Sequence, residues 1–394
     1  MDSGNKLFLL DAYALIYRAY YAFIKNPRIN SKGFNTSAIL GFVNTLEEVL
    51  KKENPTHIGV AFDPAGPTFR HEAFEQYKAQ REETPEAIRL SVPIIKDIIR
   101  AYRIPILEVA GYEADDVIGT LATEAGRQGI TTYMMTPDKD YGQLVSDKVF
   151  MYRPKHTGGF EVMGVEEVKA KFDIQSPAQV IDMLGLMGDS SDNIPGCPGV
   201  GEKTAQKLIS EFGSIENLLE HTDQLKGALK TKVETNREMI TFSKFLATIK
   251  IDVPIQLEMD SLVREEADED SLRSIFEELE FRTLIDRVLK KGVSGNGITS
   301  TPGSKVATGK SAPSPLPLFP EEGGGIQGNL FANFTPNEPD EAKKSNLETL
   351  ESQSRNYQLI DTEEKRREII QKLLTSKILS LDTETTGTEP MDAE

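Results

Sequence analysis

The chain has 394 residues, a net charge of −17, one cysteine and four histidines. That length accommodates two or three domains, while Cys197 alone excludes a disulfide framework and a cysteine-built zinc site. No run of about 18 apolar residues offers a membrane span, and Asp11 and Arg18 interrupt the N-terminal apolar run without a cleavage site after it, so a soluble cytoplasmic protein is expected.

From the N-terminus, strands are predicted near 6–11, 57–62, 104–108, 131–136 and 148–152, with helices over 36–52, 86–102 and 114–127 between them. Such alternation predicts an α/β fold, a mostly parallel sheet flanked by helices, in which ligands bind beyond the C-terminal strand ends. Acids stand at those ends. Asp11 follows Leu7–Leu10, Asp63 follows Ile58–Phe62, and Asp138 and Asp140 follow Thr131–Met135. Glu113, Asp115 and Asp116 open the helix at 114, and Asp189 and Asp192 lie within Gly188–Asn193. A buried acid is costly without a positive partner. Nine of them imply shared cations, and oxygen-only ligands select hard divalent ions, two Mg²⁺ or Mn²⁺. Two such ions suit phosphodiester hydrolysis, one activating water and one stabilising the leaving oxygen.

Between the second and third acid groups runs Phe69–Arg81. If that segment is helical, Arg70, Lys78 and Arg81 share one face and face a phosphate above the acids. Tyr77 there has two readings, a base-stacking ring or a core residue. Residues 166–291 read as a helical subdomain following an α/β core of 1–165. Its segment Gly196-Cys-Pro-Gly-Val-Gly-Glu-Lys-Thr-Ala205 combines Gly196, Gly199, Gly201, Lys203 and Thr204 at a helix start. Glycines admit close approach to phosphate, and a helix N-terminus presents free N–H groups. Cys197 is read as a small filler.

Residues 292–350 are rich in Gly, Ser, Pro and Asn and read as a flexible linker. Gln327-Gly-Asn-Leu330-Phe331 is an apolar island within it. A strand (357–360), a helix (362–375) and a strand (377–382) then suggest a domain over 356–394 whose remainder is missing, so a fragment is expected. Asp382 and Glu384 alternate on the last strand. The net acidity argues against nucleic acid only at first sight. Outside the nine candidate ligands and the acid-rich stretch 252–280, residues 1–290 are net basic.

Leu10-Asp11, Phe62-Asp63, Gly111-Tyr-Glu-Ala-Asp-Asp116, Thr136-Pro-Asp-Lys-Asp140 and Gly188–Asn193, in that order, resemble the 5′–3′ exonuclease domain of bacterial DNA polymerases I, in the flap endonuclease family. The resemblance covers about 5–290. It implies a PIN-like flap-nuclease fold with a C-terminal helix-hairpin-helix motif at 196–205. That motif would bind duplex backbone without reading sequence and hold K⁺. It implies an arch over 69–81 that passes a 5′ flap, with Lys78, Arg81 and Arg70 stabilising the scissile phosphate. Asp11, Asp63, Glu113, Asp115 and Asp116 would gather around one ion. Asp138, Asp140, Asp189 and Asp192 would lean toward the other. Gln327, Leu330 and Phe331 resemble a sliding-clamp-binding pentapeptide; incidental hydrophobes are the other reading. Asp382 and Glu384 resemble the first motif of RNase H-like 3′–5′ exonucleases.

The expected function is a structure-specific 5′–3′ exonuclease/flap endonuclease that removes 5′ flaps and RNA primers in replication and repair. It is expected to act as a monomer on DNA at the nucleoid. The alternatives are a PIN-like ribonuclease and a non-catalytic, clamp-tethered DNA-binding module.

Overall fold

Alternation within Leu7–Leu10 decides the layering: Leu7 and Leu9 point to one face of a sheet, Phe8 and Leu10 to the other. The computed structural model describes residues 4–155, 159–289 and 362–374, and the chain divides into units Met1–Phe334 and Thr335–Glu394. In the first unit the strands are β1 (Lys6–Asp11), β2 (His57–Ala61), β3 (Ile106–Leu107), β4 (Thr131–Met135), β5 (Val149–Pro154) and β6 (Phe160–Met163). Their spatial order is β3-β2-β1-β4-β5-β6; only β6 runs antiparallel. Five strands follow the predicted runs. The short edge strand β6 was not expected.

From β1 the chain moves outward to β2, and β4 returns to the other side of β1. That reversal opens a crevice beyond the C-terminal ends of β1 and β4. Asp11 ends β1, and Asp138 and Asp140 follow β4, so the topology brings both groups of acids to one place.

The helices between strands are α1 (Ala12–Ala22), α2 (Ser37–Lys52), α3 (Phe69–Ala73), α4 (Glu86–Ala101) and α5 (Ala114–Arg127). Helix α1 starts directly on Asp11, whose carboxylate caps it by accepting from the Ala14 N–H. Below β5–β6 come α6 (Val165–Phe172), α7 (Gln179–Met187), α8 (Glu202–Phe212), α9 (Ile215–Glu220), α10 (Gly227–Thr235) and α11 (Arg237–Ala247). Helices α12 (Glu269–Glu278) and α13 (Arg282–Leu289) follow, and Phe276 and Leu284 pack with Ile95 and Phe42. The other face buries Leu9 and Val117 in one cluster with Ile209 and Leu246, so sheet and helical region share a continuous core.

The expected helix over 69–81 is the main correction. Only Phe69–Ala73 is helical; Phe74 is extended and Lys78 has φ of +56°. Arg70, Lys78 and Arg81 therefore do not share a helix face. In the second unit α14 (Glu363–Leu374) matches the expected helix. Gln327, Leu330, Phe331, Asp382 and Glu384 lie outside the described residues. Among the described residues no helix is long and apolar enough to cross a membrane.

Candidate functional site

The N-terminus of α5 supplies the first group of acids. Glu113 is its N-cap, and Asp116 closes a capping box with it. Glu113, Asp115 and Asp116 bring one oxygen each within 4.8 Å of one another. Asp63, two residues past β2, accepts from the Ala114 N–H at 2.7 Å. Asp11 accepts from the Tyr141 hydroxyl at 3.1 Å and the Thr136 hydroxyl at 3.3 Å. Asp138 caps the 3₁₀ turn Lys139–Leu144 through the Asp140 N–H. Asp189 and Asp192 arrive from the loop after α7. Lys139 contacts Asp189 at 3.1 Å.

Segment 74–81 crosses this cleft as a string of turns docked on the 190–193 loop. The Lys78 N–H donates to the Asp192 carbonyl, and Arg81 Nε to the Ser191 carbonyl. Lys78 Nζ lies 2.5 Å from Glu113 and 3.8 Å from Asp192, and Arg81 Nη2 lies 2.5 Å from Asp192. Of the two readings of Tyr77 the core one holds. The residue is buried, and its hydroxyl donates toward Glu113 and Asp192. Arg70 also points inward, at 1 % exposure, into Glu113 and Asp116.

The electrostatics test whether cations fit. Burial, then the Asp63 charge, pushes the Asp11 carboxyl up to about 7. Burial also raises Asp63 and, with neighbouring carboxylates, Asp138; Asp115 and Asp140 lie well above the ordinary range through burial and the charges of Asp116 and Asp138 respectively. Glu113 goes the other way: burial would raise it, but the Lys78 ammonium and then Arg70 hold it at about 2. Asp140 Oδ1 is buried without a hydrogen-bond partner. Crowded oxygen donors, only some of them balanced by Lys78, Arg70, Arg81 and Lys139 and one of them orphaned, suit hard divalent cations.

The sign of the pH effect follows. An acid whose folded pKa is raised binds more protons folded than unfolded, so stability falls as pH climbs between the two values. For Asp11 that window runs from about 4 to 7. Glu113 and Asp189 are held low and change stability only below about 4.5, so they do not bear on the change above pH 5. In EDTA the melting temperature should therefore fall from pH 5 to 8, and the Mn²⁺-induced rise should be larger at pH 8. Calorimetry showing an equal rise at both pH values would contradict this.

The glycine hairpin is built on close backbone contact. Gly188 (φ +70°) and Gly196 (φ +63°) face each other, and a Cβ on Gly196 would sit 2.3 Å from the Gly188 nitrogen. Gly199 also has positive φ (+73°), whereas Gly201 is the extended N-cap of α8 and its Cβ would meet open space. Lys203 is exposed on the first turn of α8, and Thr204 is half-buried behind it. Cys197 is a buried free thiol within the core, as its reading as a filler anticipates.

Sequence reasoning missed several neighbours. Lys232 on α10 reaches the Gly199 carbonyl at 3.4 Å. Tyr141 is completely buried against Asp11. Tyr13, Tyr17 and Tyr21 climb α1 away from Asp11, with ring centroids 6.5 and 6.3 Å apart and Tyr21 largely exposed. Their spacing of four was the available signal.

Two family models match this chain: "5′-3′ exonuclease, N-terminal resolvase-like domain" over residues 6–173, and "5′-3′ exonuclease, C-terminal SAM fold" over 175–270. DNA polymerase I of Bacillus caldotenax is 42% identical over 287 residues, 72% of this chain and 32% of the relative. That of Bacillus subtilis (strain 168) is 43% identical over 291 residues, 73% and 33%. The chain thus spans about a third of the length of these curated relatives. Among solved structures, zinc-bound T5 5′-exonuclease superposes with a TM-score of 0.52 at 21% identity, covering 70% of this chain and 99% of that one. The catalytic core of Rad2 in complex with DNA substrate gives 0.51 at 18%, covering 74% and 93%. Both share the fold.

Proposed function

This chain belongs to the 5′–3′ exonuclease family, and we propose that it is a structure-specific, divalent-metal-dependent nuclease that hydrolyses phosphodiesters at 5′ flaps and RNA-primed ends. The observation that carries the reading is the cleft itself. Asp11, Asp63, Glu113, Asp115, Asp138, Asp140, Asp189 and Asp192 crowd at the switch point of the sheet, facing Lys78 and Arg81.

Two Mg²⁺ or Mn²⁺ ions held by these acids would supply Lewis acidity and an activated water. The chain's own groups do the rest. Lys78 is held charged by Glu113 and Asp192, and Arg81 by Asp192. Both ammonium and guanidinium are placed to bind the scissile phosphate and stabilise its developing charge. The 196–201 hairpin, with Lys203 and Lys232, grips duplex phosphates and gives a sequence-independent hold, with K⁺ as its cation. Tyr21 on α1, exposed next to the half-buried Tyr17, offers a face on which an unpaired base stacks. The parent is read as a DNA polymerase I working as a monomer in replication and repair at the nucleoid, tethered to the sliding clamp through Gln327, Leu330 and Phe331.

A labelled 5′-flap duplex should be cut near its junction in Mg²⁺ and left intact in EDTA, with the flapless duplex cut more slowly. Cleavage that persists in EDTA would overturn the mechanism. Preference for a single-stranded RNA without a junction would point to a ribonuclease instead.

A further inference from the structure

Arg70 is basic, close to the acids, and almost fully buried, at 1 % exposure. Its Nη1 lies 2.9 Å from Glu113 Oε2 and 2.7 Å from Asp116 Oδ2. Nη2 lies 2.8 Å from Asp116 Oδ1 and 2.8 Å from the Thr248 carbonyl, and Nε donates to the Leu246 carbonyl at 2.9 Å. All five guanidinium donors thus have acceptors.

Asp116 is equally occupied. Besides Arg70, it accepts from the Glu113 N–H at 3.1 Å and the Lys250 N–H at 2.8 Å, and it is fully buried. Two oxygens offer about four lone-pair sites, and all four are taken. Asp115 beside it accepts only the Asp116 N–H at 2.7 Å among the hydrogen bonds of the described residues, and Arg70 Nη1 stands off at 3.9 Å, beyond hydrogen-bond reach, so its oxygens keep room for a cation.

The carbonyls that Arg70 holds belong to the last turn of α11 (Leu246) and to the strap leaving it (Thr248). Gln143 takes the next groups, donating to the Ala247 carbonyl at 3.0 Å and accepting the Ile249 N–H at 2.9 Å. Thr120 accepts the Val253 N–H at 3.2 Å. Side chains from α3, α5 and the 3₁₀ turn after β4 thereby fix the end of the helical region directly behind the acids.

We propose that Arg70 is a positioning residue for the metal site: it orients Glu113, takes Asp116 as its counter-ion and so keeps it outside the ligand set, and pins the 246–250 strap behind both. This rests on the metal-dependent nuclease reading above.

Arg70→Lys keeps the charge but has three donors on a flexible stem, so the five-acceptor fork is lost. Mn²⁺ binding, measured without DNA by electron paramagnetic resonance, should weaken ~10-fold or more, as for other groups that orient metal ligands. The Mg²⁺ concentration for half-maximal flap cleavage should rise by a similar factor, while flap-DNA affinity in EDTA stays within about twofold. Unchanged Mn²⁺ binding with weaker DNA binding would make Arg70 a phosphate contact and overturn the proposal.

If that variant does not fold, Asp115→Asn and Asp116→Asn decide. The first should lose a Mn²⁺ ion; the second should melt lower yet keep the wild-type stoichiometry. Loss of an ion from folded Asp116→Asn would also overturn it. Because Mn²⁺ binding is read without substrate, failure of wild type to cut flaps is a separate result.

Discussion

Asp140→Asn is expected to abolish flap cleavage, by a factor of at least about 10³, and at the same time to raise the melting temperature of the metal-free protein. Both effects have one cause. Asp140 is half-buried beside Asp138 and Asp189; desolvation and those two charges drive its carboxyl well above the ordinary range, and its buried Oδ1 has no hydrogen-bond partner. In the metal-free protein near pH 8 this acid must either ionise against its neighbours or hold a proton that the unfolded chain would release. Each choice destabilises the fold. An amide of the same shape removes that penalty and also removes a ligand. Each kcal/mol recovered should appear as ~1–2 °C in melting temperature for a protein this size, given an unfolding entropy of about 2.1 cal/mol/K per residue. Adding Mn²⁺ should then stabilise wild type more than the variant and reverse their order. A variant that melts lower than wild type in EDTA would show that Asp140 is a structural acid.

That opposition between stability and function also explains how much of the site was legible. Asp11, Asp63, Asp138 and Asp140 stood out because an acid ending an apolar run contradicts the run. Helix 114–127 was readable to the residue because its acids sit where an N-terminus favours negative charge. Helix α1 was overlooked for the opposite reason. Asp11 serves at once as strand end, helix cap and member of the acid cluster, and no turn residue separates β1 from α1. Strand β6 pairs only with β5, over four residues, too little for alternation to register.

Segment 69–81 misled because separations of 8 and 11 fit a helical period. Long-range bonds override it there: the Lys78 backbone takes the left-handed conformation to reach the Asp192 carbonyl. The inward turn of Arg70 was invisible for a related reason. Its partners at 113, 116, 246 and 248 come from distant stretches of chain, and spacing within one helix carries no information about them.

The same geometry gives Lys78 the second large effect. Lys78→Ala should lower kcat of flap cleavage about 10²- to 10³-fold, on the order of 3–4 kcal/mol of transition-state stabilisation. The ammonium is held charged by Glu113 and Asp192, yet it is only partly shielded from the cleft. If cations were held by those carboxylates, the Lys78 ammonium would be free to meet a phosphate without moving its backbone, which the Asp192 carbonyl fixes. Charge that develops only during displacement then meets a cation already in place. The loss should consequently fall on kcat more than on KM. Lys78→Arg should recover part of it, because charge returns while reach and shape differ. Arg81→Ala should show a smaller loss: its guanidinium keeps the Ser191 carbonyl as well as Asp192 and is more exposed. A Lys78→Ala enzyme with unchanged kcat and a raised KM would mean that Lys78 only binds the DNA, leaving charge stabilisation to the cations and Arg81.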